Sequence, residues 1–305
     1  MDPTTERRSL LEEIENAPAN RAPSEKSIRR YLRIVREQRT RESESVAKWG
    51  AVLLRKYRRV LPEEELWLVQ EQVAMAALDC HALSVAATCM KAISRQFPDS
   101  VRAKRLKGMY MEATGNLDRA DGIYDEILAT DPCNEMILKR KATCKKTKGD
   151  IPGAIQALKH YVDIYMLDRD AWEELAGLYI KQHLFKQAAF CFEELIMLAP
   201  NSLTYNLRYA DVLYTIGQQA NWKSALSYYS RAVELSGGGC VRALFGVCCC
   251  LSNLDPKGQE EDEDEEGGRA LGPLSAKALV KWYSEKCPDK LPYLREVLKS
   301  QELLD

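Results

Sequence analysis

The sequence has no apolar run long enough to cross a bilayer. Its longest one, residues 243–251 with Gly246 counted as apolar, has nine residues, whereas a spanning helix needs about 20. No apolar segment of the secretory type follows the charged residues after Met1, so no signal peptide is expected. Lys and Arg number 44 against 45 Asp and Glu, which leaves no excess positive charge for coating nucleic acid. We therefore expect a chain that stays outside the bilayer and binds no nucleic acid.

Metal and disulfide spacings are also missing. The ten cysteines are spread over 305 residues, no C-x-x-C pair occurs, and the three histidines lack ligand spacing to any cysteine. With no export signal, the cysteines are expected to be reduced thiols that fill the core of a cytosolic protein. The sequence thus predicts neither a metal site nor a disulfide scaffold.

Catalytic and cofactor motifs are missing in the same way. The sequence contains neither G-x-x-x-x-G-K-[ST] nor G-x-G-x-x-G, and neither H-E-x-x-H nor G-x-S-x-G. No segment combines strand-length alternation with β-branched residues. We expect an all-α protein that is not an enzyme and holds no cofactor; a catalytic solenoid is the least favoured alternative.

What the sequence does contain is a period of 34 residues. Pro98 and Pro132 are 34 residues apart, and Pro200 follows at twice that interval. This spacing predicts two antiparallel helices per repeat, with small residues where the helices touch and a proline that ends the second helix. The residues predicted to pack the repeats are Ala74, Gly108, Ala120, Ala142, Ala154, Trp172, Ala176, Tyr179, Ala188, Phe192, Ala210 and Ala225.

The repeat at residues 172–200 resembles the tetratricopeptide pattern W-x2-L-G-x2-Y…A-x3-F…P almost position for position. The predicted fold is therefore an all-α, tetratricopeptide-repeat superhelical solenoid with an N-terminal helical cap. Ala225 lies three residues later than the period requires, which predicts an insertion between two helices, within residues 217–222.

The repeat phase divides the chain into five regions. Residues 1–23 are expected to be a flexible N-terminus and 24–64 a basic helical cap, which covers the unpaired end of a repeat array. Five repeats and the first helix of a sixth occupy 65–254. Residues 255–272, with seven consecutive acids at 260–266, are expected to be a disordered loop. Residues 273–305 are expected to be C-terminal helices that close the solenoid.

First helices of such repeats line the concave surface, so the phase also predicts a binding groove for protein. Its charge changes from basic to acidic along consecutive first helices, which favours a folded or extended protein partner. The residues placed there are Arg102, Arg105, Met109, Lys139, Thr143, Lys146, Asp170, Glu173 and Lys181. Arg102, Arg105 and Lys139 are expected to be a basic stretch, without an acid one turn away, that receives an acidic tail.

A second candidate surface lies in the basic cap. Residues 21–59 carry 13 Lys or Arg against four Glu, and Arg29, Arg33 and Arg36 share one helix side. The stripe is a candidate for docking to lipid headgroups or to an acidic partner tail. A solvated helical face, in which arginine stems cover apolar neighbours, is the alternative.

Several stretches are similar to one family of tetratricopeptide proteins, the second subunit of the endoplasmic reticulum membrane protein complex. The similarity covers roughly residues 65–250, and it is carried by residues 67–73, 76–79, 95–98, 104–109, 128–132, 171–176, 188–191 and 242–246. Some of these stretches fall outside the generic repeat positions. The N-terminal basic segment and the acidic loop depart from the family pattern.

The resemblance implies a non-catalytic scaffold, peripheral to the endoplasmic reticulum membrane on its cytoplasmic face. Such a subunit holds cytosolic tails of membrane subunits and a globular cytosolic subunit, while the complex inserts transmembrane segments, including those of tail-anchored proteins. The alternative is a co-chaperone or adaptor that binds peptide tails. A carboxylate clamp of that kind needs Lys and Asn four residues apart on one first helix. None of the corresponding pairs is Lys with Asn; they are Glu71/Met75, Arg105/Met109, Lys139/Thr143 and Glu173/Gly177.

Overall fold

The computed structural model describes residues 3–16, 23–254, 264–301 and 303, and every regular element in that part of the chain is helical. The prediction of an all-α protein is confirmed. The helices are α1 Pro3–Glu15, α2 Glu25–Glu37, α3 Ser43–Lys56, α4 Glu63–Asp79, α5 Leu83–Gln96, α6 Val101–Ala113, α7 Leu117–Thr130, α8 Glu135–Thr147, α9 Ile151–Ile164, α10 Arg169–Lys181, α11 Phe185–Leu198, α12 Leu203–Ile216, α13 Gln219–Leu235, α14 Val241–Asn253, α15 Asp264–Lys286 and α16 Leu291–Ser300, with a 3-10 turn at Pro288–Lys290.

The turn inside each repeat has one geometry. Three residues separate the two helices of four repeats, and the middle one has a left-handed backbone. His81, Gly115, Gly149 and His183 fill this position at intervals of 34 residues, with φ between 56° and 82°. A left-handed residue is the usual end of an α-helix and lets the chain reverse direction at once. The period found in the sequence is therefore also a period of backbone conformation.

The chain forms two compact units, Met1–Ala157 and Leu158–Asp305. In the first unit α3 packs on α4, and each of α4 to α7 packs on the helix that follows it. Its main core runs without interruption from Ile14 of α1 to Met109 of α6. Tyr124 of α7 is fully buried and fills the space beside Gly108 of α6. The small residue thus stands where two helices of one repeat come closest.

The N-terminus differs from its prediction as a flexible segment. Residues Pro3–Glu15 form α1, which packs on α2, and Ile14 is only 1% exposed. Leu10 and Leu11 pack on the same core. The cause is a helical spacing of three apolar residues, which buries enough surface to order a short helix against the cap. Residues 17–22 lie outside the described part of the chain.

In the second unit, consecutive helices from α10 to α14 pack on one another, and α14 packs on α15. Leu279 of α15 and Leu294 and Leu298 of α16 join Leu244 and Cys248 of α14 in one buried cluster. The end of the array is therefore covered by two C-terminal helices.

Two details of this unit correct the sequence predictions. The three extra residues before Ala225 do not lengthen a turn, because only Gly217 and Gln218 separate α12 from α13; they lengthen α13 to 17 residues. Of the residues 255–272 that were predicted as a disordered loop, 264–272 are helical because α15 begins at Asp264; residues 255–263 lie outside the described part of the chain. Gly272 has a low helix propensity, but it lies within α15, where a Cβ built on it would lie 2.9 Å from Leu251 Cδ1.

The twelve residues predicted to pack the repeats are all buried, and the eleven other than Gly108 are each 8% exposed or less. Every alanine among them is at most 3% exposed. Small side chains at these positions let the two helices of a repeat approach closely.

Candidate functional site

The nine residues predicted to line a groove lie on three first helices. In the first unit Arg102, Arg105 and Met109 are on α6. Lys139, Thr143 and Lys146 are on α8 of the same unit. Asp170, Glu173 and Lys181 are on α10 of the second unit. Met109 is only 8% exposed and belongs to the core, so its prediction as a surface residue was wrong.

The predicted basic stretch is also corrected, because its arginines have an acidic partner. Glu71 of α4 forms ion pairs with both Arg102 and Arg105, the latter at 3.5 Å. Arg102 remains 67% exposed, whereas the Arg105 side chain is 20% exposed and its Nη1 donates to the Sδ of Met136 at 3.2 Å. Glu71 belongs to the preceding repeat, so it is not a neighbour of either arginine in sequence.

Lys139 has an acid one turn away after all. Its Nζ lies 3.3 Å from Glu135 Oε1 on the same helix, an i, i+4 pair that solvent screens. Thr143 is exposed and donates its hydroxyl to the Lys139 carbonyl at 3.0 Å. Lys146 is exposed. The three positions thus lie on one exposed side of α8, but they do not form a stretch of uncompensated charge.

Apolar side chains lie among these paired charges. Leu68 and Met75 are on α4 on either side of Glu71 in sequence, and they are 45% and 36% exposed. Met136 of α8 is 47% exposed and is in contact with Arg105. Spacings of three and four residues put Leu68, Glu71 and Met75 on one side of α4. We call this surface the α4–α6–α8 face; it comprises Leu68, Glu71, Met75, Arg102, Arg105, Met136 and Lys139.

In the second unit the predicted acidic residue Glu173 also has a partner. Arg208 of α12 donates from Nη1 to Glu173 Oε1 at 3.1 Å, again between first helices of consecutive repeats. Asp170 is exposed at the start of α10, where its amide donates to the capping carboxylate of Asp168 at 3.1 Å. Lys181 is exposed at the end of that helix.

A part-buried polar cluster joins two repeats of the first unit. Glu112 of α6 accepts a hydrogen bond from the Tyr124 hydroxyl and another from Arg140 Nη1 at 2.9 Å. Burial, followed by the bond to Glu112, raises the pKa of Tyr124. Burial and the same carboxylate raise the pKa of the Cys144 thiol to about 12, so this cysteine stays protonated and is a poor nucleophile. The arrangement fixes helices and offers no activated group.

The second unit repeats this design. Asp211 of α12 accepts from the Tyr229 hydroxyl at 2.7 Å, and its other oxygen lies 2.8 Å from the guanidinium of Arg242 on α14. Burial first, and then the bond to Asp211, raises the pKa of Tyr229. In both units an acid on a first helix is bonded by a tyrosine of its own repeat and an arginine of the next, which couples consecutive repeats.

The candidate docking stripe on α2 is largely engaged within the chain. Arg29 forms ion pairs with Glu25 at 2.7 Å and with Glu65, and Arg33 lies 3.5 Å from Glu65. Burial lowers the pKa of Arg36, whose Nη1 is buried. The stripe therefore joins α2 to α4, and its prediction as an exposed basic surface is corrected.

Sequence analysis missed the residues that compensate these charges. Glu71 precedes Arg102 by 31 residues, and Asp211 precedes Arg242 by the same interval. Residues about one repeat apart lie on adjacent first helices, so an acid followed by a base at that distance is a signal that could have found them.

Membrane-spanning helices and clusters of metal ligands are both absent from the described residues. No helix there combines the length and apolarity that a membrane crossing requires. No group of three or more His, Cys, Asp or Glu within those same residues could hold a metal ion.

Comparisons with known proteins agree on the fold and on one family. The family model described as the EMC2 TPR-like repeat domain matches residues 90–227. ER membrane protein complex subunit 2 of Xenopus tropicalis is 39% identical over 220 residues, which cover 72% of this chain and 73% of the frog protein. The protein of the same name from Dictyostelium discoideum is 28% identical over 289 residues, 91% of this chain and 89% of that protein.

A solved structure supports the architecture alone. The C-terminal part of a TPR repeat-containing protein from Cytophaga hutchinsonii aligns with a TM-score of 0.56 at 14% identity, over 83% of this chain and 94% of that one. Together with the helical pairs and their period, this confirms the prediction of an all-α tetratricopeptide-repeat solenoid.

Proposed function

Because this chain belongs to the family of ER membrane protein complex subunit 2, we propose that it is a non-catalytic scaffold subunit of that complex. The proposed role is to hold the cytosolic parts of other subunits while the complex inserts transmembrane segments, including those of tail-anchored proteins. The observation that carries the proposal is the 39% identity to the Xenopus tropicalis protein of that name.

The α4–α6–α8 face is the proposed surface for a partner in the first unit. Leu68, Met75 and Met136 are exposed there between cations that are paired with Glu71 or Glu135. A surface of apolar side chains separated by ion pairs fits an amphipathic segment. The apolar residues of that segment would contact the apolar side chains of the face, and its polar residues would contact the ion pairs. It fits a strongly acidic tail less well, because the arginines are already paired.

The proposed location is the cytoplasmic face of the endoplasmic reticulum membrane, with attachment through partner subunits. Protease added to sealed microsomes should digest the chain, and removal of its partners should release it from the membrane. Resistance to external protease in vesicles that are shown to be sealed would place the chain in the lumen and refute the proposed location.

Native purification of the tagged chain from detergent-solubilised membranes tests the proposed function. We expect other subunits of the ER membrane protein complex as the main associated proteins. Recovery of soluble chaperones in their place, in an eluate free of membrane subunits, would instead support the co-chaperone alternative. A buffer of raised salt serves as the control, since contacts through exposed charges alone are screened while apolar contacts persist.

A further inference from the structure

The last turn of α3 and the segment that follows it carry a concentration of exposed positive charge. Four of the five residues at 55–59 are basic, and all four are exposed: Arg55, Lys56, Arg58 and Arg59. Val60 follows and is 60% exposed. We call residues 55–60 the basic turn.

The basic turn is held in place at both ends. Tyr57 donates its hydroxyl to the Pro23 carbonyl at 3.3 Å and packs on the core of the first unit. Leu61, directly after the turn, is 7% exposed and belongs to the same core. The Val60 amide donates to the Tyr57 carbonyl at 3.0 Å. The four cations and Val60 are therefore presented to solvent by an anchored segment.

These cations differ from Arg30 and Arg41, two exposed arginines of the first unit that have acidic partners. Arg41 is 80% exposed and pairs with Asp79, and Arg30 pairs with Glu6. Within the described part of the chain, none of the four cations of the basic turn forms an ion pair. The nearest acids in sequence, Glu63 and Glu64, are exposed at the start of α4 and reduce the local net charge from +4 to +2. A positive surface remains without an internal partner.

We propose that the basic turn binds the surface of an anionic bilayer, with its cations at the lipid phosphates and Val60 at the boundary of the acyl chains. Juxtaposed basic and apolar side chains are what such a surface attracts. A bilayer fits better than an acidic peptide because Val60, which is 60% exposed beside the four cations, can enter the acyl boundary, whereas a purely acidic peptide offers it no apolar contact. Through this contact the chain would bind the membrane directly, in addition to its attachment through protein partners.

Vesicle flotation of the full-length chain tests the proposal. The vesicles contain phosphatidylcholine with or without phosphatidylserine, and no protein, so the outcome does not depend on membership of any complex. We expect binding only to the anionic vesicles and weaker binding as salt is raised. Each basic residue near such a surface contributes about fivefold at low salt, so replacing all four with Gln should lower binding by at least about 50-fold.

A control variant removes the same charge from residues that are exposed but ion-paired. Its four substitutions to Gln are at Arg30, Arg41, Arg208 and Arg231. We expect this variant to bind within about threefold of the parent, since each of these four cations is already paired with an acid. Melting curves of both variants establish that they are folded. A third variant, Val60→Gln, changes an exposed residue and should not affect folding. It should weaken vesicle binding by a few-fold, and it tests the proposal if the variant that lacks all four cations of the basic turn does not fold.

Three results would overturn the proposal. The first is equal binding to neutral and anionic vesicles, or no binding to either. The second is equal loss in the two charge variants, which would indicate net charge as the cause. The third is binding of a soluble polyglutamate peptide that equals vesicle binding and is lost with the four cations, which would assign the turn to an acidic protein segment.

Discussion

The contact of Gly108 with Tyr124 gives the sharpest test of the repeat phase. Gly108 lies inside α6, and a Cβ built on it would lie 2.7 Å from Cζ of Tyr124 and 2.9 Å from its hydroxyl oxygen. The ring is fully buried and its hydroxyl is bonded to Glu112, so it cannot move aside without disturbing both the core and that bond. The substitution Gly108→Ala should therefore destabilise the chain, although alanine is the better helix former.

The magnitude follows from three opposing contributions. Overpacking a close contact costs about 1–3 kcal/mol. Displacement of the ring weakens a hydrogen bond to a charged group, for which the cost is about 1.5–3 kcal/mol. Alanine in place of glycine stabilises a helix by about 1 kcal/mol. The expected net loss in the free energy of unfolding is about 1.5–5 kcal/mol.

Gly122→Ala is the matched control. Gly122 lies on α7 of the same repeat, and no atom lies within 4 Å of the Cβ that alanine would add. Only the helix preference then changes, so this variant should be more stable by up to about 1 kcal/mol. Urea unfolding followed by circular dichroism measures both. If Gly108→Ala were as stable as the parent, or gained stability as Gly122→Ala should, the proposed packing of α6 on α7 would be wrong.

Two further stability predictions concern the repeat turns and the cap. Gly149→Ala should lower the free energy of unfolding by about 1 kcal/mol, because a φ of 82° is unfavourable for alanine. His183→Gly should raise it by about 0.5–1 kcal/mol, because glycine adopts this left-handed backbone without strain. Thermal melts measure both variants, and equal shifts in the melting temperature would contradict the account. The hydrogen bond from Arg29 lowers the pKa of Glu65, so the pair stabilises the fold fully above the usual carboxyl pKa and loses this contribution as the pH falls through the lowered one. Urea midpoints between about pH 6 and about pH 3 should therefore fall less in Arg29→Gln than in the parent, and an equal fall would show that the pair does not affect stability.

The sequence predicted what the period controls. The intervals that joined Gly108, Ala142 and Ala176 also gave the helix pairs, because a small residue is required wherever two helices come closest. The period does not control the ends of the array, where α1 packs through Leu10, Leu11 and Ile14 and forms ion pairs such as Glu6 with Arg30. Nor could it show how an insertion is absorbed, since lengthening α13 and lengthening the turn before it displace Ala225 equally.

The candidate surface was less predictable for a physical reason. A repeat phase places a side chain on a face, but the charge of that face also depends on partners from a neighbouring repeat. Arg102 was expected to be uncompensated because no acid lies one turn away in sequence, and Glu71 supplies one from 31 residues earlier. The binding role of these residues stays a prediction.

Assembly of surface variants tests the central claim most directly, namely that this chain is a scaffold that holds a partner on its α4–α6–α8 face. The test variant carries Leu68→Glu and Met136→Glu, at positions 45% and 47% exposed. Its control carries Leu274→Glu and Met197→Glu, at positions 61% and 68% exposed on α15 and α11. After native purification from detergent-solubilised membranes, the parent and the control should retain the other subunits of the complex, and the test variant should lose them while melting as the parent does. Full retention by the folded test variant would contradict the claim.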